Sequence, residues 1–576
     1  MISKVELGSV DKKKNPQMKS IAPQTSFTGL GEMALRGIQL CEQQPMLNVT
    51  VLDLSTAILP RTFFETFIGS KQKDENGNVI EGRHLNVLGG FEAFRRESSG
   101  LIINCLIPSF IVVGVAKMLK AFGIMGNFKA SDLTKSWANG DAIKNIEKYY
   151  QKAEGATKED RIFNALKGMF DDIEGLDGDI EKGGLKKFKD IFAGDAKYTE
   201  KLREMTQRIL SDKPKKGFAN EMYKYMVEKS GIAENIRFAG ETGFSSSNLS
   251  HLCESAGDVL HGAVKEGILK DYAENIVSEK GLKEVAKAEY DLLGKYLSKA
   301  KKLVNAKSIG GLGLIIPLAI SAQPINRWIT HKMAGKKGAP IYNDDKERIL
   351  KPEEKKKLNA EKFFAVPLMW SVAALSMLMD RPSLKMFQFK NIFPTMDQAR
   401  IISAATFSSR IAASEDSNEL KENTIRDIAT FSSFYFLGDY AAKAIATYLE
   451  NHNKDGIKLT NKLKHPKQGA NAIQRFWNWA KHTKMKSSDE LLHMADDALR
   501  SKARNMRAFC QLGNLIFSLI ALGIFIPLYT RTQTNKKKQM EKEKLAAMLS
   551  SKPPVQFTQR FQDKTAFQAF SVSKVQ

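Results

Sequence analysis

Apolar positions collect into four long runs without charge, and these predict four membrane-crossing helices. Residues 508–530 form the longest, 23 uncharged positions between Arg507 and Arg531. At helical rise such a run reaches ~35 Å, enough for a hydrocarbon layer of ~30 Å. Residues 101–119 open with 16 uncharged positions and end on Lys117 and Lys120, whose chains can carry their ammoniums out to headgroups. Residues 308–326 supply 19 uncharged positions between Lys307 and Arg327, and 363–379 supply 17 between Lys362 and Asp380. Each run carries a proline after a β-branched residue, at Pro108, Pro317, Pro367 and Pro527. Helices in lipid tolerate proline where neighbours satisfy the freed carbonyl.

Between the runs the pattern is that of water-facing structure. Residues 1–30 are polar and predict disorder. Residues 31–100 are mixed: the apolar stretches of 31–68 fit a strand or an interfacial helix, and Asn76-Gly77 predicts a small hairpin. Residues 127–307 intersperse both charge signs with helix formers, broken at the glycine-rich 175–184 and 240–247, and so predict a helical aqueous domain. Its last helix, 281–306, gathers Leu282, Val285, Leu293, Leu297, Ala300 and Leu303 on one side. That pattern suits a bundle helix or one lying on the membrane surface. A basic loop spans 327–362.

Residues 380–450 are rich in small residues, with Ala-Thr-Phe-Ser-Ser at 405–409 and again at 429–433, which suits close helix packing. The stretch 428–449 is long enough to cross but contains Asp439 and Lys443, four apart. Each charge costs about 2.5–3.5 kcal/mol near a bilayer centre, so the expectation is a helix packed on the protein or the membrane surface. Residues 451–507 read as a polar linker (451–470) followed by basic amphipathic helices. Within them, 471–483 sets Ile473, Phe476, Trp477 and Ala480 along one side, with Trp479 flanking. The last region, 531–576, predicts a basic helix and a disordered tail whose Phe557, Phe561, Phe567 and Phe570 suit docking to a protein partner.

Charge changes this picture in one respect. The net +24, from 88 basic against 64 acidic residues, is concentrated in 327–362, 451–507 and 531–576, all beside apolar runs. Attraction to anionic lipid headgroups explains that placement better than nucleic-acid binding does. The expected lipid-facing anchors are Trp328, Trp477, Trp479, Arg507, Arg531, Lys536, Lys537 and Lys538. Lys and Arg near the run ends are more numerous on the side that holds both termini, which predicts cytoplasmic termini. Four scattered cysteines, at 41, 105, 253 and 510, have neither metal spacing nor a disulfide framework.

Candidate chemistry is sparse. His251, Glu254, Asp258 and His261 share one face of a helix, which makes them the best metal candidate. One helix cannot complete a coordination sphere, so a solvated polar face is the plainer expectation. The acidic run from Asp171 to Glu181 lacks the glycine and glutamate positions of a calcium loop. No catalytic motif and no cofactor signature occurs.

The fold class expected is mainly α: an integral membrane protein with about four transmembrane helices plus a helical aqueous domain and little β. The expected role is a membrane-anchored scaffold or envelope-associated protein engaging lipid headgroups and partner proteins. The alternative is a transporter or channel, with Arg400, Arg410, Asp439 and Lys443 along a polar pathway.

Overall fold

The four apolar runs become helices that continue past the ends of the runs. In the computed structural model, Gly89–Ala121, Glu284–Met333, Pro352–Met379 and Ala498–Phe525 are long and apolar enough to cross a membrane. The structure describes residues 45–68, 87–134, 140–212, 217–241, 248–272, 279–334, 351–379, 394–492 and 497–526, with isolated positions besides. The chain is mainly helical with little strand. The hairpin expected at Asn76-Gly77 and the aromatic tail after 550 lie outside the described residues.

The ambiguous stretch before the first run is helical. Helix α1 (45–68) lies antiparallel to α2 (87–121): Val49 and Leu52 share a core with Cys105, and Arg61 reaches Glu97 at 2.5 Å. Both helices widen into a π turn, at Asp53–Ile58 and Ile102–Leu106, just before Pro60 and Pro108. A proline there lacks the N–H for the preceding turn and crowds its carbonyl, and the wider turn absorbs that misfit.

The region expected as the aqueous domain follows α2 and is helical. Its helices are α3 (Gly140–Tyr150), α4 (Lys158–Asp171), α5 (Ala196–Leu210), α6 (Asn220–Ser230) and α7 (Leu249–Lys265). A small antiparallel sheet sits among them, β1 (Ile173–Leu176) flanked by β2 (Leu185–Lys187) and β3 (Ile236–Phe238). One core joins these elements, with Tyr150, Phe170, Phe188 and Leu202 wholly buried. Helix α8 (Glu279–Ala334) belongs to two regions. Its first half inserts Leu293, Leu297, Ala300 and Leu303 into that same core, as a bundle helix does. The same helix then runs unbroken through the second apolar run. Lys307, read as a flank of that run, is fully buried and donates to the Leu133 carbonyl at 2.8 Å.

Helices α9 (Pro352–Met379), α10 (Met396–Ala412), α11 (417–452) and α13 (497–525) complete the apolar bundle with α1, α2 and the second half of α8. Two close approaches need glycine. A Cβ on Gly438 would run into Asn514 and the Ser433 carbonyl, and one on Gly513 into Ile445, so α11 and α13 touch backbone to side chain. Large apolar side chains remain exposed around the outside, among them Phe110, Ile309, Phe363, Phe364, Leu375 and Phe525. That much exposed apolar surface is what lipid-facing helices present.

The expected linker at 451–470 is a structured strap. Strands β4 (Thr460–Lys462) and β5 (Thr483–Met485) pair antiparallel across helix α12 (Ala472–His482). The strap docks on the acidic run of the aqueous domain. Asp177 bridges Lys186 and Lys486, and Asp179 meets His465 at 2.7 Å. Asn461 accepts from the Gly178 amide at 2.7 Å. The acidic run is therefore a docking edge rather than a solvated turn. Burial alone would raise the Asp177 carboxyl, but Lys486 and Lys186 overcome it and hold it below the ordinary 3.8. A lowered carboxylate stabilises the folded contact above its unfolded pKa and loses that contribution as pH falls through the folded one. The strap is thus expected to loosen below about pH 4, read as faster proteolysis of 453–487, while Asp177→Asn shows a smaller acid step, left by the Asp179–His465 contact.

Candidate functional site

Helix α10 is buried on all sides from Gln398 to Ile411. A capping box starts it: the Thr395 hydroxyl accepts from the Gln398 amide, and the Gln398 side chain accepts from the Thr395 amide at 2.8 Å. Its small residues let α8 and α9 approach closely. Ile402 and Ala405 pack with Val112, Leu312, Ile315 and Ala319. Farther along, Thr406 donates to Asn104 at 2.8 Å and Ser409 to the Ile320 carbonyl. α10 thus runs antiparallel to α2, in the direction of α8, level with the first two apolar runs.

Arg410 closes the helix with an ion cluster. Its two terminal nitrogens lie 3.0 Å from Glu97 on α2 and 3.0 Å from Asp427 on α11. Glu97 also takes Arg61 from α1, and Asp427 has Arg426 at 3.5 Å. Asp427 is 1% exposed and Arg410 6%. Glu97 stands directly before the uncharged stretch 98–116 of α2, so the cluster sits near one end of the bundle. The same end holds a second network: Arg95 to Asn326 (2.8 Å) and Thr330 (2.8 Å), Thr330 to Glu92 (2.8 Å), and Asn326 to Ser99 (2.6 Å). Arg327 completes it with Glu415 at 3.0 Å and Glu419 at 2.6 Å.

From Arg410 a file of buried polar groups continues down one face of α10. Thr406 is followed by Ser403, whose hydroxyl lies 2.7 Å from the Tyr435 hydroxyl. Arg400 comes next, bound to Asp397 at 2.9 Å and the Tyr435 carbonyl at 3.2 Å. At 100° per residue, positions 400, 403, 406 and 410 fall within an arc of about 120°, and they extend over ~15 Å.

The structure separates the other two pathway residues from this file. Lys443, near the far end of α11, is buried and donates to the Ala480 carbonyl at 2.8 Å. Its ammonium stands over the rings of Tyr440 and Trp479. Asp439 is exposed. The metal candidates His251, Glu254, Asp258 and His261 are each half-buried along α7, and His261 Nδ1 is engaged with the Ile209 carbonyl at 2.9 Å. Among the described residues no group of three such side chains could hold a metal ion.

Of the expected anchors, Trp328 and Trp477 are exposed, as is Lys536. Trp479 is half-buried, with its indole donating to Thr447. Arg507 is buried and donates to the Lys486 carbonyl at 2.9 Å, so it faces the strap. Arg531, Lys537 and Lys538 lie outside the described residues. Reasoning from sequence had missed Glu97, Asp427, Arg61, Arg96 and Arg426. The one available signal was the Arg-Arg-Glu triplet at 95–97, an acid beside the basic flank of an apolar run. No family model, curated protein or solved structure matches the chain.

Proposed function

We propose that this is an integral membrane protein of the transporter or channel class, which passes a small charged solute along the polar face of α10. The observation that carries this reading is the buried file Arg400, Ser403, Thr406 and Arg410, level with the apolar runs. An anchor needs only lipid-compatible helices, whereas ionisable groups kept inside such a bundle commonly line ion or substrate routes. The bias of Lys and Arg near the run ends supports cytoplasmic termini. In the test, protein reconstituted in vesicles is expected to dissipate imposed gradients of phosphate, chloride or protons. Replacing Ser403 and Thr406 together by valine is expected to slow the flux about tenfold. Vesicles as tight as empty ones to all three ions would overturn the reading.

The second reading is a membrane-held scaffold that engages lipid on the side of the aqueous domain. It is favoured by α12, which leaves Ile473, Phe476 and Trp477 exposed beside Arg475 and Lys481. Aromatic rings beside basic residues suit the headgroup layer. Lipids brominated on their acyl chains are expected to quench Trp477 fluorescence if α12 lies there; fluorescence unchanged by the bromine would end this reading.

A further inference from the structure

At the end of the bundle where α2 begins, arginines and carboxylates are packed together, with Glu422 also 3.9 Å from Arg426. Arg61, Arg96, Arg410 and Arg426 meet Glu97, Asp427 and the neighbouring Asp53. Arg410, Arg61 and Arg426 have carboxylate partners. Arg96 does not. It is 8% exposed, lies within electrostatic reach of Arg61, Arg327, Arg410 and Glu97, and its guanidinium makes no hydrogen bond or ion pair among the described residues.

A second orphan lies close by. Gln323 on α8 is 1% exposed, and both atoms of its amide lack a partner. Three residues before it, Ile320 accepts from Ser409 of α10; three after it, Asn326 donates to Ser99 of α2. Gln323 is therefore held at about the level of Arg410, facing α2 and α10, with Arg96 farther toward the same end of the bundle. Native interiors rarely leave such groups unsatisfied unless a ligand or water takes them up.

We infer that this end of the bundle is an anion-binding site, centred on Arg96 with the Gln323 amide beside it and Arg61, Arg327 and Arg410 around it, for an oxyanion of the phosphate class. A guanidinium presents paired N–H donors that match two oxygens of a phosphate. The surrounding arginines make the site selective for negative charge, and the partly exposed Arg61 and Arg327 connect it to water or to the headgroup layer. The ligand is free phosphate or the phosphate of a lipid headgroup, since both carry the same chemistry. The site deepens the transport reading by naming a solute class and rests on that reading only for movement of the ligand; binding is measured without transport.

The test uses the full chain purified in neutral detergent, titrated with inorganic phosphate against equal ionic strength of chloride. A parallel arm uses phosphatidylcholine nanodiscs with and without phosphatidic acid. Phosphate is expected to raise the melting temperature, and Arg96→Gln to weaken the response about tenfold or more. Gln323→Leu, an apolar replacement of similar size, is expected to raise the unliganded melting temperature while also weakening the response. It keeps the test decisive if Arg96→Gln does not fold. A response to phosphate in detergent assigns a free oxyanion, and a response to phosphatidic acid alone assigns a headgroup. No response of the wild type in either arm, or variants that respond as the wild type does, would overturn the site. Binding without flux would leave it standing and remove only the transport reading.

Discussion

Arg410→Ala is expected to destabilise the bundle by about 3–5 kcal/mol, because it takes from the buried Asp427 its closest cation. Glu97 retains Arg61, but Asp427, at 1% exposure, keeps only the longer contact to Arg426. The second oxygen of Asp427 already has no hydrogen-bond partner, so nothing local can take up the loss. The measurement is unfolding in mixed micelles, following α10 by a fluorophore. The triple variant Arg410→Met, Glu97→Gln, Asp427→Asn removes the charges together. It is expected to recover most of the stability, since a buried ion pair replaced as a unit is often neutral. Wild-type stability in Arg410→Ala would mean that water reaches the cluster and screens it. Recovery of stability without recovery of flux in the triple variant would separate a structural network from a working one.

The second large effect lies in the aqueous domain. Arg161 on α4 is 1% exposed and joins three segments. It pairs with Glu289 on α8 at 3.0 Å. It also donates to the carbonyls of Gly155 (3.1 Å), Ala156 (3.1 Å) and Lys270 (2.5 Å), and lies 3.8 Å above the Tyr272 ring. Alanine here leaves the Glu289 carboxylate buried against Tyr150 (2.7 Å) without its cation. A cost of about 3–5 kcal/mol is expected, with lysine recovering only part because a point charge cannot serve three carbonyls and a carboxylate. Hydrogen exchange is expected to accelerate in 140–171 and 285–304 while α9 and α10 keep their protection. Equal loss of protection in the bundle would mean that the two regions unfold as one unit through α8.

These two arginines mark how far the site was legible along the chain. Arg410 was singled out with Arg400 as a charge among small and apolar residues, and both are buried on α10. The partners that make Arg410 affordable there are 313 positions away at Glu97 and 17 away at Asp427, and no periodicity connects them. Arg161 has no such signal, because one arginine in a mixed-charge helix resembles a solvated face. Of Asp439 and Lys443, four apart on α11, the first is exposed and the second reaches across to the Ala480 carbonyl, a contact that spacing along the chain does not reveal.

Sequence alone was enough to find the four helices long and apolar enough to cross a membrane, and the helical character of the stretch between the first two. Hydropathy and helix-forming tendency accumulate over consecutive residues, so a local window contains nearly all the information that decides them. Tertiary structure alone decided that α10 lies at the centre, that 453–487 is a strap clamped to Asp177 and Asp179, and that the Gln323 amide is left without a partner among the described residues. The cost of burying a polar group depends on what stands within about 3 Å of it. In this chain those neighbours come from segments hundreds of residues apart, brought together only when the helices pack.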